Sequence, residues 1–330
     1  MVDDPTERAH ATPLAGPSRS ALAARERASA AVVHTSTTCE RMLAPTTERL
    51  ARIHRQQIDR DPWPDFDAFE RGRYDEALLR DAARHWARRA TAEHGSIHQF
   101  SGLLHALCEA RVGLQLLGPL ARLITDEVRH AELCARMALA CDPEGPTQSP
   151  RAFGWPLPRA PWPAPPDEGT PAAIMTWAAS AILIACCLGE TLSRPMYESL
   201  IVVCTDPIAE SVLRQIQRDE HLHAAFGWDA VATLLPAIGD EGRARLQEAL
   251  RRAFGGFEAT TACGRSVESI AGRELTIARG DAPNLGILGP DQYAMIFFAT
   301  IEHEIFPALT ALGLDPAAAW AGRPKVTIDE

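Results

Sequence analysis

The sequence has no excess of basic residues, since 33 lysines and arginines stand against 43 aspartates and glutamates, for a formal net charge of -10. A chain with this charge does not attract nucleic acid or an anionic membrane surface, so we expect neither partner. Cysteine is also sparse, with eight residues among 330. This is not the density of a disulfide scaffold, and it favours a reducing, cytoplasmic setting.

The beginning of the chain has no apolar run of the kind found in secretory signals. Asp3, Asp4, Glu7 and Glu26 also disfavour a mitochondrial transit peptide. Residues 1–60 are rich in Ala, Arg, Thr and Pro without sustained periodicity, which predicts a partly disordered extension with one helix near residues 20–33. We assign no chemistry to this part.

Helical periodicity dominates the chain from about residue 75. It stops in a proline-rich crossover at 141–171, resumes at 172–235, and is interrupted once where Asp206 can cap and Pro207 can open a new helix. Two helices, a long crossover and two further helices predict an all-α protein with a ferritin-like four-helix bundle at 75–235. A C-terminal helical extension is expected at 236–330, with helices near 240–254 and 292–312.

Each of the four predicted bundle helices has an apolar stripe at three-and-four spacing, and acidic residues interrupt every stripe at mid-length. The first and third helices contribute one glutamate each, and the second and fourth contribute a Glu-x-x-His pair. The six residues are Glu93, Glu127, His130, Glu190, Glu220 and His223. Buried carboxylates need compensation, and two divalent cations would balance four of them. This oxygen-rich set with one imidazole per metal suits iron, or manganese, better than zinc.

The spacing of the candidate ligands indicates a duplicated helical hairpin. Glu93 and Glu190 are 97 residues apart, and the two Glu-x-x-His pairs are 93 residues apart. Glu190 precedes Cys204 by 14 residues and Glu220 follows Asp206 by 14, so both are expected about 21 Å from their turn. In the first hairpin, a turn near 112–119 would leave Glu93 farther from the turn than Glu127.

An apolar run at residues 172–189 is long enough to be considered as a membrane span. The run leads directly into Glu190. In a membrane span this glutamate would lie at the membrane edge with no role, whereas in a bundle it lies at the level of the predicted metals. We therefore interpret the run as a buried helix and expect no membrane.

The motif Asp126-Glu127-Val128-Arg129-His130 is similar to the DExRH signature of oxygen-activating di-iron proteins, and 219–223 is a partial copy without the arginine. Over about 75–235, including the stretches AEHGSIHQF and LGETLSRPMYESL, the chain resembles the ferritin-like di-iron carboxylate superfamily. The resemblance implies that Glu93, Glu127 and His130 hold one iron and that Glu190, Glu220 and His223 hold the other. It further implies that Glu127 and Glu220 bridge the metals and that Asp126 and Asp219 accept hydrogen bonds from the ligand histidines.

Storage ferritins usually lack the second histidine, which is present here as His223. The resemblance therefore implies an O2-activating oxidoreductase, an oxygenase or oxidase, that acts on a small organic substrate, in specialised metabolism for example. O2 would be the co-substrate, and a reductase or ferredoxin could donate electrons. A ferroxidase or other iron-handling protein, and a di-manganese catalase, remain alternatives, and a homodimer remains open.

Several further residues have two interpretations each. One set either lines a substrate pocket or simply fills the core: Ile97, Phe100, Cys186, Ile216 and Phe226. Tyr197 could relay electrons or be an ordinary core aromatic. His303 could be an additional ligand or could belong to a capping helix.

Overall fold

The computed structural model describes residues 39–43, 46–143, 169–273 and 275–325. Throughout these ranges the regular secondary structure is helical and contains no strand, which confirms the all-α prediction. The helix predicted near 20–33 and most of the proline-rich crossover lie outside the described residues.

Helix α1 spans Glu48–Ile58, within the predicted N-terminal extension, and the Thr47 side chain caps it by accepting from the Leu50 amide. It packs on helix α3, Leu114–Cys141, and buries Ile58. Two short 3-10 helices follow α1 along the chain, Phe66–Ala68 and Arg71–Arg73.

Helix α2 spans Glu76–Glu109 and is capped by Asp75. The turn before α3 occupies residues 110–113, earlier than the sequence predicts, and Pro119 lies inside α3 at the cost of one helical hydrogen bond. Glu93 therefore lies 16 residues before the end of α2, and Glu127 lies 13 residues after the start of α3. The early turn brings these two glutamates to similar heights, about 24 Å and 20 Å from the turn.

Helix α4, Pro171–Val203, contains a π-helical segment at Leu183–Glu190. Helix α5, Pro207–Thr261, begins as predicted, because the Asp206 carboxylate accepts hydrogen bonds of 2.9 Å from the amides of Ile208 and Ala209. Its helical geometry is broken once, at Gly239, where φ is 63° and a residue without a side chain is favoured.

Helices α2 and α3 pack along each other, as do α4 and α5, and further contacts join α3 to α5 and α2 to α4. The interior divides into two apolar clusters. Phe100, Leu123, Cys186 and Phe226 belong to one. Trp86, Met137, Leu200 and Ile216 belong to the other. In α2, α3 and α5 the candidate ligands lie between residues of the two clusters, and in α4 Glu190 lies near the end of the first cluster, which extends to Leu192.

The C-terminal part adds α6, Val267–Ile270, α7, Pro290–Ala311, and α8, Pro316–Ala321. Helix α7 covers most of the helix predicted at 292–312, and the second half of α5 covers the one predicted at 240–254. Both α7 and α8 pack on α5.

Helices α4 and α7 are long and apolar enough to cross a membrane by length and composition alone. Half of the most apolar window of α4 is buried against other helices. The core helix of a globular protein has the same properties, so this is weak evidence for a membrane span.

Candidate metal site

Two groups of side chains, near mid-length of α2, α3 and α4 and in the first third of α5, could each hold a metal ion. Glu93, Glu127 and His130 form the first group, and Glu127, Glu190 and His223 form the second. Within each group, one potential ligand atom of every residue lies within 4.8 Å of the others. Glu127 belongs to both groups, so it lies between the two candidate positions.

Glu220 has the same intermediate position as Glu127, with one oxygen toward each imidazole. Its Oε1 lies 3.6 Å from His130 Nδ1, and its Oε2 lies 3.8 Å from His223 Nδ1. Glu127 Oε2 lies 3.9 Å from His130 Nδ1, and Glu127 Oε1 lies 3.1 Å from His223 Nδ1. Both carboxylates therefore lie between the two imidazoles, and the structure brings all six candidate ligands together.

The atoms that face the centre of this cluster are buried and lack hydrogen-bond partners among the described residues. They are both oxygens of Glu127, Oε2 of Glu220, and the Nδ1 atoms of His130 and His223. Buried polar atoms are rarely left without a partner, because the loss of hydration is not compensated. Carboxylate oxygens and imidazole nitrogens in this arrangement are ligands that iron and manganese accept, so the residues fit the expected metals.

The outward nitrogen of each histidine approaches an aspartate from the opposite Glu-x-x-His helix. His130 Nε2 lies 3.2 Å from Asp219 Oδ2, and His223 Nε2 lies 3.5 Å from Asp126 Oδ2. In the neutral imidazole, an aspartate at Nε2 favours the tautomer with the proton on that nitrogen, so that Nδ1 faces the cluster with its lone pair. Thus each Asp-Glu-x-x-His motif places an aspartate beside the histidine of the other, at hydrogen-bond distance for His130 and slightly farther away for His223, whose Nε2 has no hydrogen-bond partner among the described residues.

Three arginines hold these two aspartates in place. Arg122 Nε donates to both oxygens of Asp126 at 2.9 Å and 2.8 Å, and Arg60 also donates to Asp126. Arg129 is almost fully buried and lies 3.5 Å from Asp219. Arg122 could have been found from its position four residues before Asp126. Nothing in the sequence points to Arg60, which reaches the site from the segment after α1.

Gln215 connects the same segment to this network. Its Oε1 accepts from Arg129, while its Nε2 donates at 3.0 Å to the carbonyl of Pro62. The segment after α1 therefore packs against the outer side of the two aspartates. Sequence reasoning assigned no chemistry to it, because its partners are at least 60 residues away along the chain.

Glu93 is held by Tyr197, whose hydroxyl donates to Glu93 Oε1 at 2.7 Å. The other oxygen, Oε2, lies 3.8 Å from His130 Nδ1. Tyr197 is thus buried in contact with a candidate ligand. Its role as an electron relay stays a prediction.

Burial and mutual repulsion dominate the electrostatics of the cluster. Burial raises the pKa of Glu127 and of Glu220 well above the usual value, and neighbouring carboxylates raise each pKa further. Burial also opposes ionisation of Glu93, but hydrogen bonds and the nearby His130 outweigh it, so the pKa of Glu93 is lowered. Burial lowers the pKa of His223. Divalent cations would relieve the cost of keeping these carboxylates ionised.

Two backbone features place the ligands of α4 and α5. The π-helical segment Leu183–Glu190 ends at a candidate ligand, and π segments inside helices frequently occur at functional sites. Close to it, Gly227 allows α5 to approach α4, since a Cβ at this position would lie 2.5 Å from the Cβ of Cys186. The sequence showed the glycine but not this contact.

Other predicted positions do not join the cluster. His303 is exposed on a π-helical segment of α7 and belongs to neither group. A groove of about 1100 Å³ between α4 and α5 is lined by none of the predicted pocket residues. Four of these fill the two apolar clusters and Ile97 is half-buried on α2; the four are Phe100, Cys186, Ile216 and Phe226.

The fold and the site define an all-helical protein with a buried carboxylate and histidine cluster that could hold metal ions. Comparison with protein families, with curated proteins and with solved structures gives no match for this chain.

Proposed function

We propose that α2, α3, α4 and α5 form a ferritin-like four-helix bundle around a di-metal centre. The neighbouring helix pairs, the two Glu-x-x-His motifs and the crossed aspartates support this arrangement. One observation carries the proposal: the inward atoms of Glu127, Glu220, His130 and His223 are buried without hydrogen-bond partners and surround one volume.

In this proposal Glu93, Glu127 and His130 hold one iron, and Glu190, Glu220 and His223 hold the other. Glu127 and Glu220, which lie between the two imidazoles, would be shared by the two ions, and manganese is the alternative metal. When bound, two such ions supply redox chemistry with O2 that protein side chains lack.

The protein's own groups fix the geometry of this centre. Asp219 lies at hydrogen-bond distance from His130 Nε2, which favours a proton on that nitrogen and directs the lone pair of Nδ1 inward. Asp126 lies 3.5 Å from His223 Nε2 and would act in the same way after a small adjustment. Tyr197 holds one oxygen of Glu93 and leaves the other directed toward His130. The apolar clusters on both sides keep bulk water away from the ligands.

The function that this centre supports best is an O2-dependent oxidoreductase, an oxygenase or oxidase, acting on a small organic molecule with electrons from a reductase or ferredoxin. This substrate class rests on the resemblance of the Asp126–His130 motif to oxygen-activating proteins and on the second histidine. A ferroxidase and a di-manganese catalase use similar ligands, so the experiment must separate them.

The test is anaerobic loading of the full chain with Fe(II), followed by measurement of iron per chain by mass spectrometry and of the optical spectrum on exposure to O2. We expect about two irons per chain and a spectral change that depends on O2. Glu127→Ala and Glu220→Ala should each abolish both signals. Glu198→Ala is the matched control, because Glu198 is an exposed glutamate on α4.

Each other outcome has a defined meaning. Iron far above two per chain, with mineral formation, would replace the oxygenase proposal with iron storage. Peroxide disproportionation by the manganese-loaded protein, without an O2 reaction of the iron-loaded protein, would favour a catalase. No metal uptake by the folded protein would overturn the proposal.

A further inference from the structure

A groove of about 1100 Å³ lies between the first half of α4 and the second half of α5. Its volume is that of a small-molecule site, and its walls are mainly apolar. The lining residues that matter here are Trp177, Ala181, Ile184, Ala253, Gly256 and Phe257.

One wall residue of the groove contacts the part of α4 that precedes the candidate ligand Glu190. Ile184 and Phe257 line the groove. Ile184 lies five residues before Gly189 in the same π-helical segment, and Phe257 approaches Gly189, the residue before Glu190, from α5. A Cβ on Gly189 would lie 3.6 Å from the Ile184 carbonyl oxygen and 3.8 Å from Phe257 Cζ. The wall of the groove is therefore in contact with the backbone that carries a candidate ligand.

The charged residues at the rim of the groove neutralise each other. Arg245 pairs with Glu241 at 2.7 Å, and Arg252 pairs with Glu248 at 2.7 Å. The rim thus has two positive and two negative groups already in ion pairs on the same helix. An ionic ligand gains little binding free energy from a rim whose charges are already paired. A neutral apolar molecule avoids the cost of desolvating a charge when it covers the apolar walls.

We propose that this groove binds a neutral, largely apolar organic molecule and that this molecule is the substrate of the candidate metal centre. The second part rests on the proposed function. The aromatic walls at Trp177 and Phe257 suit a molecule with a flat apolar portion. The contact of Phe257 with Gly189 favours this groove over an unrelated apolar surface, because it places one wall beside the residue that precedes Glu190.

Gly256 provides a variant that fills the groove without disturbing the helix. Gly256 lines the groove, and apart from its chain neighbours and the adjacent backbone of its own helix, no described heavy atom lies within 4 Å of the position that its Cβ would take. Gly256→Leu should therefore place a side chain in the groove. Gly102→Leu is the matched control, because Gly102 is also inside a helix, α2, with similarly open surroundings.

The first measurement is a fluorescence titration of the metal-free full chain with N-phenyl-1-naphthylamine, a neutral apolar probe, alongside sedimentation to determine the oligomeric state. We expect saturable binding by the wild type, an affinity lower on the order of tenfold in Gly256→Leu, and no change in Gly102→Leu. Equal binding by all three proteins would overturn the proposal. A wild-type dimer that Gly256→Leu dissociates, with no probe binding, would instead identify a second copy as the occupant.

The second measurement tests the connection to the metal centre separately. The wild type is loaded with Mn(II), or with diamagnetic Zn(II) as control, and proton relaxation of the bound probe is measured by NMR. Faster relaxation with Mn(II) than with Zn(II), lost in Gly256→Leu, is expected if the groove leads to the centre. Probe binding without metal uptake would overturn the proposed function but keep the groove as a ligand site. Metal uptake and probe binding without faster relaxation would overturn the groove as the substrate site.

Discussion

The two imidazoles of the candidate site depend on aspartates that are distant in sequence. His130 lies beside Asp219 and His223 beside Asp126, so each helix that contributes a Glu-x-x-His pair also orients the histidine of its partner. Arg122 links the two aspartates, since it donates a hydrogen bond to Asp126 and lies 3.7 Å from Asp219. Such outer contacts govern metal affinity because they fix the tautomer and the orientation of the ring.

Asp219→Asn should weaken metal binding about 10- to 100-fold, because the amide no longer holds the proton on His130 Nε2 as a carboxylate does. Isothermal titration of the metal-free protein with Mn(II) measures the effect. Asp229→Asn, an exposed position on the same helix, should bind as the wild type does. Equal affinities for Asp219→Asn and wild type would show that the aspartate does not orient the ligand.

Helices α4 and α5 approach each other closely near their candidate ligands. Gly227 lies four residues after His223, and a Cβ there would also lie 2.9 Å from the backbone atoms Cys186 C and Cys187 N. Backbone cannot move aside as the end of a flexible side chain can. The absence of a side chain at Gly227 therefore sets the distance between the helices that carry Glu190 and His223.

Gly227→Ala should lower the free energy of unfolding by about 1–3 kcal/mol, because the methyl group forces the two helices apart. It should also weaken metal binding, although no ligand is changed. Urea denaturation and Mn(II) titration measure the two effects. Gly102→Ala, with open space around its Cβ position, should instead gain roughly 0.5–1 kcal/mol from the better helix former. A loss of stability in both variants would rule out the proposed steric cause.

Helix α1 is attached to α3 through Glu132. Its Oε2 lies 2.7 Å from His54 Nε2, and its Oε1 accepts from Arg136 at 2.8 Å. Burial alone would raise the pKa of Glu132, but these partners outweigh it and lower the pKa. The helix thus depends on an ionised carboxylate.

Glu132→Gln should weaken the attachment of α1 by about 1.5–3 kcal/mol, through loss of charged hydrogen bonds. The expected result is faster amide hydrogen exchange across Glu48–Ile58, with Glu76→Gln, an exposed residue, as control. Since the folded-state pKa is lowered, the stabilisation is present above the unfolded pKa and is lost as the pH falls through the folded pKa. As the pH falls through the folded-state pKa of Glu132, the exchange rate of the wild type should approach that of Glu132→Gln. A difference between the two rates that persists at still lower pH would contradict the ionic attachment.

At the scale of the whole molecule, the candidate site separates two apolar clusters and carries four carboxylates between them. Without metal, such a cluster opposes folding because the carboxylates are desolvated and repel each other. Bound cations reverse this effect. The stability of the protein should therefore be coupled to metal concentration.

The double variant Glu127→Gln and Glu220→Gln should unfold at a higher temperature than the wild type when both are free of metal. Metal at 100 times its Kd should stabilise the wild type by about 2.7 kcal/mol and leave the double variant unchanged. Differential scanning calorimetry with and without Mn(II) gives both comparisons. A metal-free double variant less stable than the wild type would show that the carboxylates contribute to stability without cations.

The sequence alone determined the helical architecture and the residues that face inward. Periodicity at three and four positions places Glu127 and His130 on one face, and Asp206 with Pro207 fixes the start of α5. The equal distances of Glu190 and Glu220 from their turn also follow from the sequence. These features are local, so the geometry of a single helix or turn decides them.

The tertiary structure decided how these faces meet. Glu93 joins the cluster because the first turn ends at Gly113, and Arg60 reaches Asp126 from a segment without periodicity. Packing alone places the aspartate of each hairpin beside the histidine of the other. Packing also creates the groove between α4 and α5. Periodicity fixes the direction of a side chain around its own helix, but the crossing and spacing of helices fix which distant groups it meets.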